Sequence, residues 1–304
     1  MPNSIALAQK YSPILDEIYK RESLTAILDT PSDLVQWIGA DTAKIFKTEV
    51  DGLGTTDRNG HYVAGSVTSG WETYQLAWDR NRSLEIDAMD DEETLAMAFG
   101  ANVAEFYRTQ LIPEVDAYTF AKICGTVGIS AATPADLTNI SDILAAIDTA
   151  NQTMDDDEVP YEGRILFLSP GAYYKLKGKI TRYLANEETV QRNVYQLDSM
   201  RVIPVPSARF NTAIELYDGV TAGQEAGGYV NVPSNGYSYP INFLLVHPSA
   251  IMKVMKRMVS KIISPELNQN ADAWKFAIRA YGDTFVKDQK VSGIYLHRGA
   301  TANS

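Results

Sequence analysis

The chain has one cysteine, Cys124, in 304 residues. A lone thiol excludes an internal disulfide framework and fits a reducing compartment. Cys124 ends an apolar helical pattern and reads as a small buried hydrophobe rather than a nucleophile. Histidine is also scarce. His61, His247 and His297 lie far apart without ligand-type neighbours three or four positions away, so a histidine metal centre is not expected. No run of eighteen apolar residues exists, which excludes a transmembrane helix. The start, MPNSIALAQKYSPILDEIYKRES, lacks the basic and apolar regions of a secretory signal. No Gly-x-Ser-x-Gly elbow is present. GLGTTD (Gly52 to Asp57) lacks the third glycine of a dinucleotide fingerprint, and GAYYKLKGK is misspaced for a phosphate loop. No catalytic residue, cofactor site or metal ligand is therefore assigned.

What is present is a large core and an acidic surface. The hydrophobic fraction is 45% and the formal net charge −11. That charge disfavours general nucleic-acid binding, whose affinity comes mostly from Lys and Arg on phosphates, and it favours solubility. Residues 1–47 read as helical and amphipathic. Residues 48–70 carry five glycines and read as a loop or hairpin tip. WETYQLAW alternates large side chains as a strand, and RSLEID follows as a second strand. A long helix is expected over 91–124, kinked at Pro113. Beyond it lie a helix over about 136–154, a strand at 164–168 and a helix opened by Ser169 and Pro170. Strands at 200–205 and 241–246 bracket a Gly/Asn-rich insertion at 211–240. MKRMVSKII, WKFAIRAY and VSGIYLHR close the chain as a long hairpin plus one strand, with Trp274, Phe276, Ile278 and Ala280 on one face.

The densest cluster of acids is DRNRSLEIDAMDDEET, Asp79 to Thr94. A calcium loop needs alternating oxygen ligands, a glycine at the bend and a closing glutamate, and this stretch has no glycine. Helix capping explains more of it. Asp90 and Asp91 precede the periodic helix as N-caps, and Glu92 and Glu93 fall in its first turn, where the helix dipole favours negative charge. The acidic run DDDEV reads as a solvated loop.

The order of elements carries more information than any motif. IDAMDDEETLAMAFGANVAEFYRTQLIPEVDAYTFAKI, then ILFLSPGAYYKLK, DSMRVIPVPSARF and INFLLVHPSAI, resembles the major capsid proteins of tailed bacteriophages with the Hong Kong 97-type fold. Trp78 to Lys122 looks most like coat proteins of siphophages of Gram-positive hosts. The resemblance implies an α+β chain with an N-terminal arm (1–47), an extended β-hairpin loop (48–88) and a peripheral domain with a long spine helix (89–127 and 251–298). It also implies an axial α/β domain (128–250) and a tail (299–304). The implied function is a structural, non-enzymatic protein of the virion, assembled in the host bacterial cytoplasm into pentamers and hexamers of an icosahedral shell. A portal protein, double-stranded DNA held without sequence-specific contact and a possible decoration protein would be its partners, with no membrane. Because Met1 lies close to the arm, a separate scaffolding protein is expected. Some members cross-link the loop through a lysine. Here no lysine lies between Lys47 and Lys122, so the contacts are expected to be noncovalent.

An arm with alternating aromatics and little core of its own must bury them against a neighbour. Inter-subunit contacts are therefore expected at Trp71, Tyr74 and Trp78, with Arg80 and Arg82 pairing with carboxylates of the same or a neighbouring subunit; the resemblance implies further contacts, near threefold axes, at Glu266 and Asn268 in the turn SPELNQNADA. Two other readings remain open. One is an encapsulin-like nanocompartment shell, and the other is a metal-dependent enzyme using the acidic cluster.

Overall fold

Short runs that are almost wholly apolar, bounded by turn residues, suit the middle of a sheet. ILFL and INFLLV behave in this way in the computed structural model, which describes residues 23–31, 35–39, 41–55, 64–87, 103–179, 194–234 and 236–303. The elements are β1 (Gln36–Ile38), β2 (Thr42–Val50), β3 (Val67–Gln75), β4 (Trp78–Asp87) and a π-helical turn (Tyr107–Leu111) running into α1 (Ile112–Cys124). Next come β5 (Ser130–Ala131), α2 (Ile140–Asp156), β6 (Ile165–Leu168), α3 (Pro170–Lys179), β7 (Gln196–Leu197) and β8 (Met200–Pro204). The last are β9 (Glu215–Leu216), β10 (Tyr229–Val230), β11 (Ile241–Val246), β12 (Ile251–Ile263), β13 (Ala273–Val286) and β14 (Ile294–Arg298).

One lobe is a six-stranded mixed sheet, ordered β5-β14-β11-β6-β8-β7. On one face α2 and α3 bury Ile143, Ile147, Met154 and Leu176 against Leu166, Leu168, Phe243 and Leu245. A capping box between Asn139 and Asp142 starts α2. Ser169 starts α3 as its spacing suggested, accepting the Ala172 amide at 3.3 Å with Pro170 next in line. The other face receives Phe120 and Ile123 of α1. Phe120 meets Phe167 and Phe210 edge-on, both at 5.1 Å.

The second lobe is the sheet β12-β13-β4. Its long β12–β13 hairpin is bulged between Met255 and Arg257. Gly282 sits opposite the bulge, where a Cβ would lie 2.4 Å from the Val254 carbonyl, so only glycine fits. Tyr107, Leu111 and Val115 cover this sheet, packing on Trp78, Phe276, Ile278 and Ala280. The helix thus serves two cores, the first half on one sheet and the second half on the other. Pro113 does not split it. The Ile112 amide reaches back five residues to the Tyr107 carbonyl, and this widened turn accommodates the proline that follows.

Several expectations are corrected. The described residues up to Val50 contain no α-helix; Thr42–Val50 is a strand paired residue for residue with Val67–Gln75. Ala43 and Ile45 alternate toward the body, and that period of two prevails over the weaker helical pattern. The arm is therefore the β2–β3 hairpin, with a tip shorter than 48–70. RSLEID does not return along the arm; in β4 it pairs with β13, which places Leu84 and Ile86 against the helix. IYLHR is the further strand expected after the long hairpin, and it pairs with β11 and β5 in the six-stranded sheet, because Ile294 and Leu296 complete the core there. Residues 1–22 and 88–102, which include Asp90 to Thr94 of the acidic stretch, lie outside the described residues.

Phe120 has no exposed surface and fills the junction under α1. Phe120→Ala is expected to lower unfolding free energy by about 3–5 kcal/mol in urea titration, while Tyr174→Ala on the solvent face of α3 changes it by under about 0.5 kcal/mol.

Candidate assembly surface

Alternation gives the arm two faces. Ala43, Ile45 and Tyr74 turn inward and join Val35, Leu76, Met252 and Val254 in a small core at the root. Phe46, Val50, Val67 and Trp71 share the opposite face, where Phe46 pairs with Trp71 and Val50 with Val67. The rings of Phe46 and Trp71 stand edge-on at 5.4 Å, and both side chains remain about half exposed, at 57% and 47%. Leu53 near the tip is fully exposed. A narrow ribbon has no second layer to cover such a face. Covering it would contribute about 1.5–3 kcal/mol for each fully buried side chain.

The root is held firmly. The Leu76 amide donates to the Asp41 carbonyl at 2.8 Å, and the Ala77 amide donates to the Asp283 carboxylate at 2.8 Å. Lys256 donates to the Gly39 carbonyl at 2.7 Å and lies over the Trp37 ring. Asp283, on β13, also accepts from the Tyr118 hydroxyl at 3.0 Å. Burial and this neighbouring carboxylate push the Tyr118 phenol well up from its usual range, so it stays a donor.

Charge is concentrated at the midpoint of α1. Asp116 is fully buried and accepts from the Ser23 and Thr25 hydroxyls at 2.8 and 2.6 Å, and from the Leu24 and Thr25 amides. Arg209 completes the set at 3.2 Å. Lys253, itself buried, reaches the Thr25 hydroxyl at 3.0 Å and pairs with Asp29 at 2.8 Å. Glu114 forks with Arg80 at 2.6 and 3.1 Å, and the same guanidinium binds the Tyr217 and Gly228 carbonyls. One arginine thereby joins β4, α1 and the 217–228 loop. Within that loop the Thr221 hydroxyl, then the Thr221 and Val220 amides, hold the Asp218 carboxyl down to about 2.

These contacts relocate several residues expected at a neighbour. Trp78 is 3% exposed beneath Tyr118, and Arg80 is committed within its own chain. Tyr74 packs on Phe285 at 4.8 Å. Trp71 stays on the open face. Arg82 is exposed beside the loop, with one long bond of 3.4 Å to the Glu225 carbonyl; a Cβ at Gly219 would come within 3.3 Å of its guanidinium. Glu266 is exposed in the β12–β13 turn, and Asn268 closes that turn by donating to the Ala273 carbonyl at 3.1 Å. Asp79 pairs with Arg279 across the strands. Asp90, Asp91, Glu92 and Glu93 lie outside the described residues.

Other candidates resolve into structural roles. Asp155 of the acidic run pairs with the buried Arg164 at 2.5 Å. Burial lowers the His247 and His297 imidazoles and raises the Cys124 thiol, so all three favour their neutral forms. Among the described residues no three His, Cys, Asp or Glu side chains gather as metal ligands. Phe46, Val50, Val67 and Asp116 were not singled out from sequence. The alternation of Phe46, Thr48 and Val50 was the available signal for the first two.

No protein-family model and no curated protein matches the sequence. Solved structures do match in fold. The capsid structure of cyanophage P-SCSP1u is 12% identical with a TM-score of 0.59, covering 92% of this chain and 88% of that one. A Gordonia phage Cozz structure is 13% identical, also at 0.59, covering 92% and 87%. The virus-like particle from Pyrococcus furiosus is 11% identical at 0.55, covering 96% and 99%. The chain has the Hong Kong 97-type capsid fold.

Removing the Asp116 carboxylate strands Arg209 and the Leu24 and Thr25 amides. Asp116→Ala is expected to cost about 3–5 kcal/mol in denaturant titration, and hydrogen exchange at Leu24 and Thr25 should rise with it.

Proposed function

We propose that this chain is the major capsid protein of a tailed bacteriophage, self-assembling into an icosahedral head through noncovalent contacts. The outward apolar face of the arm carries this reading. Phe46, Val50, Val67 and Trp71 sit on a hairpin that cannot cover them, and a neighbouring copy is the partner every subunit of a closed shell possesses. The shared fold over about nine-tenths of the chain supports it, with capsid structures among the matches. Matches to phages of Mycobacterium and Gordonia favour a siphophage of a Gram-positive host.

In this reading the subunits form pentamers and hexamers, with the long spine helix in the peripheral domain and the α/β lobe at the capsomer axes. Glu266 and Asn268 lie near threefold contacts, and Arg82 faces a neighbour. Asp90, Asp91, Glu92 and Glu93 cap the helix at the junction of the arm and peripheral domain. A scaffolding protein and a portal protein assist assembly in the bacterial cytoplasm, and a decoration protein is compatible with the outer surface. The net charge of −11 suits a wall that packaged double-stranded DNA does not grip. The protein is then a virion component without catalytic activity. The match to the Pyrococcus furiosus particle favours a second reading, a nanocompartment shell holding protein cargo. Nucleic acid inside purified particles supports the phage head, and enzyme inside them supports the compartment.

Phe46→Asp combined with Trp71→Asp is expected to abolish particles in negative-stain microscopy and sedimentation while leaving the melting temperature unchanged. Boiled wild-type particles should run as single chains on a denaturing gel. Wild-type protein that stays monomeric under every assembly condition would sink the shell reading.

A further inference from the structure

The chain passes from one lobe to the other through the short crossover His247 to Ala250. β11 ends at Val246 in the six-stranded sheet, β12 starts at Ile251 in the hairpin lobe, and Pro248–Ala250 forms a single helical turn between them. The backbone is pinned at both ends. The His247 amide donates to the Gly293 carbonyl at 2.8 Å, and the Lys287 amide donates to the Ala250 carbonyl at 2.9 Å. The middle is held by a side chain. The Ser249 hydroxyl, at 2.7 Å, and the Ser249 amide, at 3.3 Å, both meet Nδ1 of His247.

A backbone amide can donate only to an unprotonated ring nitrogen, so Nδ1 is the acceptor and the ring hydrogen sits on Nε2. Nε2 then donates to the Glu162 carbonyl at 3.2 Å, in the turn leading to β6. Three contacts therefore agree on one neutral tautomer. The charges around the ring favour the same form. Burial, and after it the cations of Lys290 in the turn before β14 and Arg164 beside β6, holds the imidazole below the usual histidine range, against the pull of the Glu162 carbonyl. Lys287, just after β13, donates its ammonium to the Ser249 carbonyl at 3.0 Å. Among the described residues no carboxylate pairs with the ring.

We propose that His247 is an acid-released clasp on the crossover between the two lobes: the neutral ring holds both Ser249 donors, and the protonated ring, with a hydrogen on each nitrogen, cannot accept the amide and lets the turn open. The closed crossover excludes a proton that the open one accepts. The clasp is thus complete above the ordinary histidine value of about 6.5 and is lost as pH falls below it. Its parts belong to a single chain, so it does not depend on shell assembly.

The test is hydrogen exchange of the full chain from about pH 8 to about pH 5, a span that brackets the ordinary histidine value. Mass spectrometry with fragmentation resolves the Ser249 amide, and each rate is corrected for its intrinsic pH dependence. Exchange at Ser249 should rise by up to about tenfold per pH unit below about 6.5, the limit for one coupled proton, while Leu244 in the buried strand β11 stays protected. His247→Asn keeps an oxygen that accepts the amide two residues on but does not titrate, so it should abolish the pH response. In the wild type, the slow exchange of the His247 ring C2 hydrogen should give an ionisation midpoint below the ordinary value. Corrected Ser249 exchange that ignores pH would overturn the clasp. So would a wild-type response in His247→Asn, or a ring midpoint at or above the ordinary value.

Discussion

A carboxylate with no exposure to water has to be surrounded by donors, and Asp116 meets that requirement at the centre of the molecule. Its partners come from the 23–25 segment and from Arg209, while Arg80 binds Glu114 two residues earlier. These contacts lie where α1 passes from one sheet to the other. Val115 still belongs to the hairpin lobe core, and Phe120 already belongs to the six-stranded one. Apolar packing alone would let the helix slide between two greasy surfaces, whereas directional bonds to a buried charge fix its register.

A parallel arrangement holds the arm. Asp283 ties the β3–β4 link to Tyr118 of the helix, so the arm's root is pinned to the element that organises the body. The ribbon's two faces differ: one packs inward at the root through Ala43 and Ile45, while the other presents Phe46 and Trp71 outward. The net charge of −11 keeps separate chains apart in solution, so an apolar face must supply the attraction if copies are to associate.

The body and the arm differ in how they meet water. In the body, charges are paired across elements, as Arg164 with Asp155 and Lys253 with Asp29 show. On the arm, Phe46 and Trp71 stay about half exposed on a face that no second layer of the chain covers.

The elements legible in the sequence were those with local signals. Ser169-Pro170 opened a helix, ILFL and INFLLV were core strands, and Trp274, Phe276, Ile278 and Ala280 shared a face. The order of these elements was enough to suggest the capsid fold. Periodicity and capping act within a few residues, so by itself the sequence determined the type and the buried face of these elements. Partners distant in the chain were decided only by the tertiary structure. It put RSLEID beside β13, IYLHR in the other lobe and Arg80 on Glu114. A strand's edges carry the same backbone donors and acceptors whichever strand it joins, and a charge does not encode which opposite charge it will meet. Both choices follow from packing the whole chain at once.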